Sequence, residues 1–426
     1  MHRVIPSKHV KAKSERDKHV VEAVVRQFGP ISRARIHEMT QIRPTATSNI
    51  VRRLLDEGRL LEDGVESGPL GRKGALLRLN EQHGYVACID FDDESITAGI
   101  TDLHPRVTRR ISIRTDLNNG AVGLIRQLID TTRKALKSAG VSVKSLAGIG
   151  IADPGLVDSR RGVTVTSSTI PFWKDIPLQA VFEKEFGVPA LVETSTRSKT
   201  VAERDADPTS RPDSMIYVDY GAGIGAGLFV DGRLLYGQGS AAGEFGHTRI
   251  VDDGTACNCG SFGCLEAIAG LRAVEARVRR AIADGGNTEV LAMAGEDPSR
   301  ITGWMVFEAA SRGDKIASNT VADIGRYLGL GIANLVNLFN PAEIVLDGRL
   351  RLAGDELLNQ INSTIRRQAL RESTENLVLR YGVCGNDAGV LGVARMVLTK
   401  HFEIPALKLP RFLVEGADMV LTGKGA

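Results

Sequence analysis

The sequence predicts an N-terminal winged helix-turn-helix followed by an α/β body of two related lobes. Three observations predict this fold class: three short helical patterns in a basic N-terminal segment, an apolar strand pattern that recurs in the body, and a length of 426 residues, which exceeds one ordinary domain. Hydrophobic residues make up 42% and charged residues 25%, as in globular proteins. Since no apolar run approaches the ~20 residues of a membrane helix and no signal peptide is evident, we expect a cytoplasmic protein without a membrane partner.

The N-terminal segment contains a predicted helix-turn-helix. Apolar residues repeat with helical spacing in residues 18–28, and Gly29 begins the break that ends this helix. Ser32 is placed to cap a short second helix that extends to residue 39. A third helix is expected to start at Thr45 after a tight turn, which is the helix-turn-helix arrangement.

Two predicted strands, residues 59–62 and 75–79, follow the third helix like the strands of a wing. Residues 1–82 carry sixteen Lys and Arg against ten Asp and Glu, and this basic excess suits a double-stranded DNA operator as partner. A small helical bundle that contacts another protein is the alternative. If the segment binds DNA, we expect the contacts to come from the third helix and the wing tip, at Thr45, Thr47, Ser48, Asn49, Arg52, Arg72 and Lys73.

The body contains two similar series of predicted strands. Residues 85–91, 95–101 and 107–114 form the first series, before a helix at 120–139 and a strand at 147–151. The second series comprises residues 215–220, 226–230 and 233–236. Each series opens with an apolar strand that ends in Asp and an aromatic residue, which indicates two lobes of one topology facing a cleft. The glycine-rich stretch 221–227 could cradle a phosphate, although any tight hairpin uses glycine as well.

His247, Cys257, Cys259 and Cys264 have the spacing of a metal site. Three thiolates and one imidazole complete a tetrahedral zinc shell, which leaves no open position for water. We therefore expect one structural Zn²⁺ per chain. Ordinary buried or reactive cysteines are the alternative, but three of the five cysteines of the chain lie in this short stretch.

The stretch from Gly246 to Glu266 resembles the signature of the ROK family, which comprises repressors, open reading frames and kinases. Residues 149–158 and 337–346 are similar to further family segments, so that the resemblance covers nearly the whole chain. It implies an actin-like, ribonuclease-H-like sugar-kinase fold for the body, and a winged helix at the N-terminus as in the family's repressors. The expected domains are a DNA-binding domain at 1–82, a first lobe at 83–200 completed by 385–400, a second lobe with the zinc loop at 201–384, and a tail at 401–426.

Two departures from the family's kinases predict that the chain is not an enzyme. The kinases have an Asp-x-Gly-Gly-Thr loop where this chain has Asp93 and Glu94 in place of the glycines, so negative side chains would meet the triphosphate. The kinases also carry a catalytic Asp at the position of Ser195, and an unassisted hydroxyl does not accept a proton at neutral pH. No catalytic residue is therefore assigned.

A sugar pocket is expected to remain. Glu244, His247 and Glu266 match positions at which the family holds sugar hydroxyls, while Thr194 and Ser195 replace an Asn and an Asp and would alter specificity. Alternatively, the two glutamates cap helices. Thr169 is a further possible replacement, and Trp173 is interpreted either as a platform for a sugar face or as a core residue.

Three functions compete on these observations. The first is a transcriptional regulator, expected to be a repressor of carbohydrate-related genes, that acts as a homodimer or homotetramer and senses a sugar-like effector. The second is an ATP-dependent sugar kinase in which Asp153 or Asp158 replaces the missing base. The third is a DNA-bound scaffold without a ligand.

Overall fold

The computed structural model describes residues 13–67, 73–207, 210–221, 223–252 and 254–403. It divides into two compact units, one of residues 1–85, 102–104 and 398–426, and one of residues 86–101 and 105–397. The first unit contains the whole segment predicted to be a winged helix. Among the residues described, no helix has both the length and the apolar character needed to span a membrane.

Residues 13–79 form a winged helix-turn-helix, which confirms the predicted fold of the N-terminal segment. Three helices pack with a three-stranded sheet of order β1-β3-β2 and antiparallel pairing, in which β1 lies between the first two helices in the chain. The backbone N–H of Arg35 donates to Ser32 Oγ, so Ser32 caps the second helix as predicted. The elements are α1 (Lys13–Phe28), β1 (Ile31–Ser32), α2 (Arg33–Thr40), α3 (Pro44–Asp56), β2 (Leu60–Ser67) and β3 (Lys73–Leu79).

The core of this unit is formed by one apolar face from each helix and from β3. The predicted valine stripe of α1 lies inside it, because helical spacing places these side chains on one face. An ion pair also enters the interior, since Arg59 Nε donates to the buried carboxylate of Glu22 over 2.9 Å. The buried apolar side chains include Val20, Val21, Val24, Val25, Ile31, Ile36, Ile50, Val51, Leu54, Leu60 and Leu77.

The end of α14 (Ala388–His401), the last helix among the described residues, also belongs to the first unit. The ring of Phe402 stacks on that of His19 in α1, with 6.5 Å between centroids. The guanidinium of Arg26 lies 4.7 Å from the centroid of the same ring. The start of the segment predicted to be a tail therefore packs on α1, and residues 404–426 lie outside the described residues.

The second unit contains two five-stranded sheets with the same strand order. Their orders are β6-β5-β4-β7-β10 and β13-β12-β11-β14-β15, and β8 and β9 form a separate pair. Each sheet thus places its third, second, first, fourth and fifth strands side by side, which confirms the two related lobes. The strands are β4 (Tyr85–Phe91), β5 (Ser95–Asp102), β6 (Val107–Arg114), β7 (Leu146–Asp153), β8 (Leu156–Asp158), β9 (Val163–Thr166), β10 (Ala190–Thr194), β11 (Met215–Tyr220), β12 (Ile224–Val230), β13 (Arg233–Leu234), β14 (Glu343–Leu346) and β15 (Val378–Tyr381).

Helices cover both sheets and bury a large apolar core, which is centred on α11 in the second lobe. The two first strands, β4 and β11, end in Asp90 and Asp219 followed by an aromatic residue, as the sequence predicted. The remaining helices are α4 (Gly120–Ala139), α5 (Leu178–Phe186), α6 (Ser195–Arg204), α7 (Leu265–Ala269), α8 (Leu271–Ala283), α9 (Glu289–Met293), α10 (Gly303–Ser311), α11 (Lys315–Phe339), α12 (Asp355–Gln368) and α13 (Arg371–Thr374).

Glycines on β12 allow α6 to pack closely against the second sheet. A Cβ atom on Gly227 would lie 1.8 Å from Thr200 Oγ1, and one on Gly225 would lie 2.8 Å from Thr196 Oγ1. These two glycines of the stretch 221–227 therefore serve helix packing, which is a reason for their presence that the sequence alone did not reveal.

We predict that Gly227→Ala destabilises the protein by about 1–3 kcal/mol, because the added methyl group must push α6 away from β12. The change would appear as a lower midpoint of denaturant unfolding. Gly239→Ala is the matched control, since a Cβ at that position meets nothing within 4 Å. Equal midpoints for the two variants would contradict the packing argument.

Candidate functional site

A cleft with a cavity of about 350 Å³ lies in the second unit. This volume is in the range of small-molecule sites, about 300–1,000 Å³. The β4–β5 loop, the start of α6 and the turn after β14 contribute to its wall, as do the loop after β13 and the start of α7. The ends of β4 and β11 meet here, and this edge of an α/β sheet is where ligands usually bind.

The five residues predicted to bind a ligand all line this cavity: Thr194, Ser195, Glu244, His247 and Glu266. Two of them also have structural roles. The hydroxyl of Thr194 caps α6 by accepting the N–H of Arg197, and Glu266 Oε2 accepts the N–H of Ile224 over 3.1 Å. Burial raises the pKa of Glu244 above its ordinary value. The arrangement offers hydroxyls and carboxylates to a polar ligand, as the sequence predicted.

Trp173 is a core residue, so the alternative of a sugar platform is wrong. Its ring is fully buried and contacts Phe91 edge-on, and its Nε1 donates to Asp153 Oδ2 over 2.9 Å. Thr164 and the N–H of Gly155 donate to the same carboxylate. Asp153 is thereby completely enclosed, which is why it positions the adjacent loop rather than facing the cavity.

Neither residue considered as a substitute catalytic base is suitably placed. Asp153 is fully buried, and burial raises its pKa. Asp158 accepts the backbone N–H groups of Arg160 and Arg161 in a turn, and it does not line the cleft among the described residues. Thr169 lines the cavity, so its polar side chain does reach the site.

The loop between β4 and β5 is built by a carboxylate. Asp92 Oδ1 accepts the backbone N–H groups of Glu94 and Ser95 over 2.9 and 2.7 Å, so an Asx turn takes the place of a glycine turn. Asp93 and Glu94 line the cavity. Burial, followed by repulsion from Asp92, raises the pKa of each of these two carboxyls. The carboxylate side chains of the β4–β5 loop therefore line the cavity.

Ser195 is hydrogen-bonded to the end of β4. Its hydroxyl donates to Asp90 Oδ1. Burial raises the pKa of Asp90 to about 6, although Lys199 and the Ser195 hydroxyl act in the opposite direction. The Ser195 hydroxyl, at the position where the family resemblance places the catalytic Asp of the kinases, therefore forms a hydrogen bond with Asp90.

Two charged residues of the cleft floor, Lys199 and Arg349, were not among the predicted site residues. Lys199 Nζ lies 2.9 Å from Asp219 Oδ1, and Arg349 donates to the backbone oxygen of Tyr220 over 3.0 Å. The sequence carried an indirect signal, because Asp219 lies near the end of the buried strand β11 and Arg349 follows the buried strand β14, at the edge of a sheet where ligands bind. Their pairing joins residues far apart in the chain, which sequence patterns do not show.

The predicted metal ligands converge. One donor atom from each of His247, Cys257, Cys259 and Cys264 lies within 4.8 Å of the others. The imidazole uses both nitrogens, because Nδ1 lies 3.6 Å from Cys257 Sγ and Nε2 lies 3.9 Å from Glu244 Oε2. This set of one nitrogen and three sulfurs could hold a metal ion, and the second nitrogen of His247 faces the cavity wall.

The residues predicted to contact DNA are not all outward-facing. Thr45, Asn49 and Arg52 are exposed on α3 and Ser48 is half-buried. Thr47 is a correction: it is buried, and its hydroxyl donates to the backbone oxygen of Ile42 over 3.1 Å, because the turn before α3 needs that donor. Lys73 begins β3, and Arg72 lies outside the described residues.

The comparisons with known proteins agree with this geometry. Residues 86–400 match the ROK family. The chain belongs to the ROK family. It is 31% identical over 363 residues to the DNA-binding transcriptional dual regulator NagC of Escherichia coli K12, covering 84% of this chain and 86% of that protein. It is 26% identical over 375 residues to the xylose repressor of Caldicellulosiruptor bescii, covering 88% and 93% respectively.

Solved structures of the family are similar over different lengths. A ROK family transcriptional regulator, described as a homologue of the E. coli MLC protein, matches 92% of this chain and 98% of its own with a TM-score of 0.76 and 27% identity. A ROK family glucokinase from Streptomyces griseus, solved with glucose and AMPPNP, matches 74% of this chain and 99% of its own with a TM-score of 0.66 and 28% identity. This ROK chain is thus similar to a regulator over 92% of its length and to a kinase over 74% of it.

We predict that Asp90→Asn removes a pH-dependent contribution to stability. The pKa of Asp90 is higher in the folded protein, about 6, than the ~3.9 of an unfolded chain, so its contribution is complete below the unfolded value and is lost as the pH rises through 6. Unfolding free energies of wild type and variant at several pH values between 4 and 7 test this. The advantage of wild type should shrink as the pH rises, whereas the exposed-turn control Asp231→Asn should give a constant difference from wild type.

Proposed function

We propose that this ROK protein is a DNA-binding transcriptional repressor of carbohydrate-related genes, and that the cleft of its kinase-like body senses a sugar. The observation that carries the proposal is the combination, in one chain, of a winged helix-turn-helix with a cleft whose polar wall persists while its phosphate side is lined by Asp93 and Glu94. Relatives named as transcriptional regulators and repressors support it over most of their length.

A catalytic role for the body is disfavoured by the chemistry of the cleft. Phosphoryl transfer needs a base at the acceptor hydroxyl and positive charge at the phosphates. Ser195 donates a hydrogen bond to Asp90 and is no base, and the charge of Lys199 is balanced by Asp219. A sugar kinase remains the second candidate, because the S. griseus glucokinase shares the fold of the body. ATP turnover with any sugar of a broad panel would support the kinase.

The DNA-binding surface is proposed to be the exposed face of α3 together with the wing. Thr45, Asn49 and Arg52 extend from it, and Ser48 is partly accessible. Arg72 and Lys73 would contact the backbone or the minor groove from the wing. A homodimer or homotetramer would place two such surfaces on a palindromic operator.

A structural zinc ion is proposed for the cluster of His247 and the three cysteines. The donor set fits, because thiolate and imidazole are the ligands of closed tetrahedral zinc sites, and a reducing cytoplasm would keep the thiols available. When bound, the metal would stiffen the loop that carries His247. The imidazole would then present Nε2 beside Glu244 in a fixed orientation. This part of the cavity wall would therefore be ordered before a ligand binds.

The first experiment is a gel-shift titration on the DNA upstream of the protein's own gene, at two salt concentrations, with and without a sugar panel. We expect a specific shift that one sugar alters, because an effector that binds two states differently must change their populations. A specific shift that no sugar changes would favour the ligand-free scaffold. No preference for this DNA over random DNA would contradict the regulator.

We predict that Arg52→Ala weakens operator binding by about 1–3 kcal/mol, since Arg52 is exposed on α3 and a base or phosphate contact would be lost. The same gel shift measures it. Arg280→Ala is the control, because Arg280 is a comparably exposed arginine of the second unit. Operator affinity that is equal for both variants would exclude the docking of α3.

We predict that Cys259→Ser removes the metal. One thiolate of the shell is lost, and the loop from 247 to 264 should become accessible to protease. Elemental analysis should find one zinc per chain in wild type and in Cys384→Ser, whose residue lies outside the cluster, and none in Cys259→Ser. Full zinc content in Cys259→Ser would refute the assignment.

A further inference from the structure

The positive side chains that line the sensing cavity are already engaged by the protein itself. Within the described residues, four groups that can carry positive charge line it: Arg197, Lys199, His247 and Arg349. His247 belongs to the cysteine cluster. The other three each have a carboxylate partner, and this pairing bears on the charge of the ligand that the cavity can accept.

Lys199 is tied to the floor of the cleft. Its Nζ lies 2.9 Å from Asp219 Oδ1, and its side chain is only 17% exposed. Burial alone would lower the pKa of Lys199, but the carboxylates of Asp219, Asp347 and Asp90 raise it above its ordinary value. The ammonium is therefore charged, and its charge is balanced by neighbours that belong to the fold.

Arg349 and Arg197 are held in the same manner. Arg349 Nε lies 3.3 Å from Asp347 Oδ1, and its guanidinium lies 4.6 Å from the ring centroid of Trp304. Arg197 is almost wholly buried, with Nε 2.7 Å from Glu193 Oε1 and a further donor 2.9 Å from the backbone oxygen of Ser240. Neither arginine can turn to a ligand without leaving a buried carboxylate unpaired.

The opposite wall adds negative charge. Asp92, Asp93 and Glu94 follow one another in the β4–β5 loop and all line the cavity. Among the described residues, Arg272 lies 3.8 Å from Asp93 with a side chain that is 55% exposed. The paired Arg349 acts to lower the pKa of Glu94, but burial and repulsion from Asp92 and Asp93 outweigh it. An anion in this cavity would thus meet repulsion from one wall and find the cations of the other wall already paired.

We infer that the effector of this protein is a free, unphosphorylated sugar, and that the pairing of Lys199 with Asp219 and of Arg349 with Asp347 sets this preference. The inference rests on the proposed sensing function and specifies that the ligand sensed carries no phosphate charge. Hydroxyl groups can use the carboxylates of the wall as acceptors. A phosphate dianion would lose its water without gaining a free cationic partner.

Calorimetric titration of the full-length protein with matched pairs tests the inference. The probes are xylose, glucose and N-acetylglucosamine, each beside its phosphate ester. We expect at least one free sugar to bind and its phosphate ester to bind at least about tenfold more weakly. The reason is that a binding site strongly rejects a ligand whose polar groups it cannot pair. An ester that binds as tightly as its sugar, or more tightly, would overturn the inference and leave the sensing function intact.

Variants that release a cation give the second arm of the test. Asp219→Asn removes the direct ion-pair partner of Lys199 and should narrow the difference in affinity between sugar and ester by about tenfold, which corresponds to ~1.4 kcal/mol. Asp347→Asn frees Arg349 and provides the same test should Asp219→Asn fail to fold. Asp231→Asn, in the exposed turn between β12 and β13, is the control and should keep the wild-type ratio.

The outcomes separate the two proposals. If the ratio of sugar affinity to ester affinity is the same in both folded variants as in wild type, the proposed role of the ion pairs is overturned. Failure of every sugar and every ester to bind would overturn the inference together with sugar sensing, whereas DNA binding would remain testable by the gel shift.

Discussion

The ion pair between Lys199 and Asp219 is the interaction on which the cleft depends. Lys199 lies on α6, which follows β10 of the first sheet, and Asp219 lies near the end of β11 in the second sheet. Thr196 donates to the same carboxylate over 2.9 Å, so one turn of α6 is fixed to the second lobe by two contacts. The close packing of α6 on the glycines of β12 brings these groups within reach. Packing and charge therefore fix the floor of the cleft together.

The same arrangement would allow a kinase-like body to bind a sugar, as proposed, without phosphoryl transfer. A nucleotide would need backbone and cations free to face its phosphates, but Asp92 builds the turn after β4 and Asp347 engages the arginine after β14. The sugar side keeps its hydroxyls and carboxylates, because Thr194 and Glu266 are held by backbone contacts that do not depend on a phosphate. In the proposed function, charge pairing within the fold would therefore separate ligand binding from phosphoryl transfer.

Local patterns predicted the fold well, and long-range pairings set the limit. The strands at 85–91, 107–114 and 215–220 have the predicted bounds because burial and turn residues define them locally. Thr47 was misplaced because a threonine at a helix start can bond the backbone before it as readily as face solvent. Lys199 pairs with Asp219, 20 residues away, and Arg349 donates to the backbone oxygen of Tyr220, 129 residues away, so both contacts join separate elements of the chain. Local patterns describe one element at a time and do not show such contacts, whereas the pairing of Arg349 with Asp347 is local.

His247 connects the parts of the site that the sequence analysis treated separately. Its Nδ1 side faces the three thiols and its Nε2 side faces Glu244 in the cavity wall, so the orientation of one ring serves both the metal cluster and the ligand. A ring held only by the cavity would be free to rotate, whereas coordination would fix its tautomer and its plane. In the proposed function the cysteine loop lies beside the cleft because a metal-fixed His247 would let the cavity discriminate between ligands by the position of their hydroxyls.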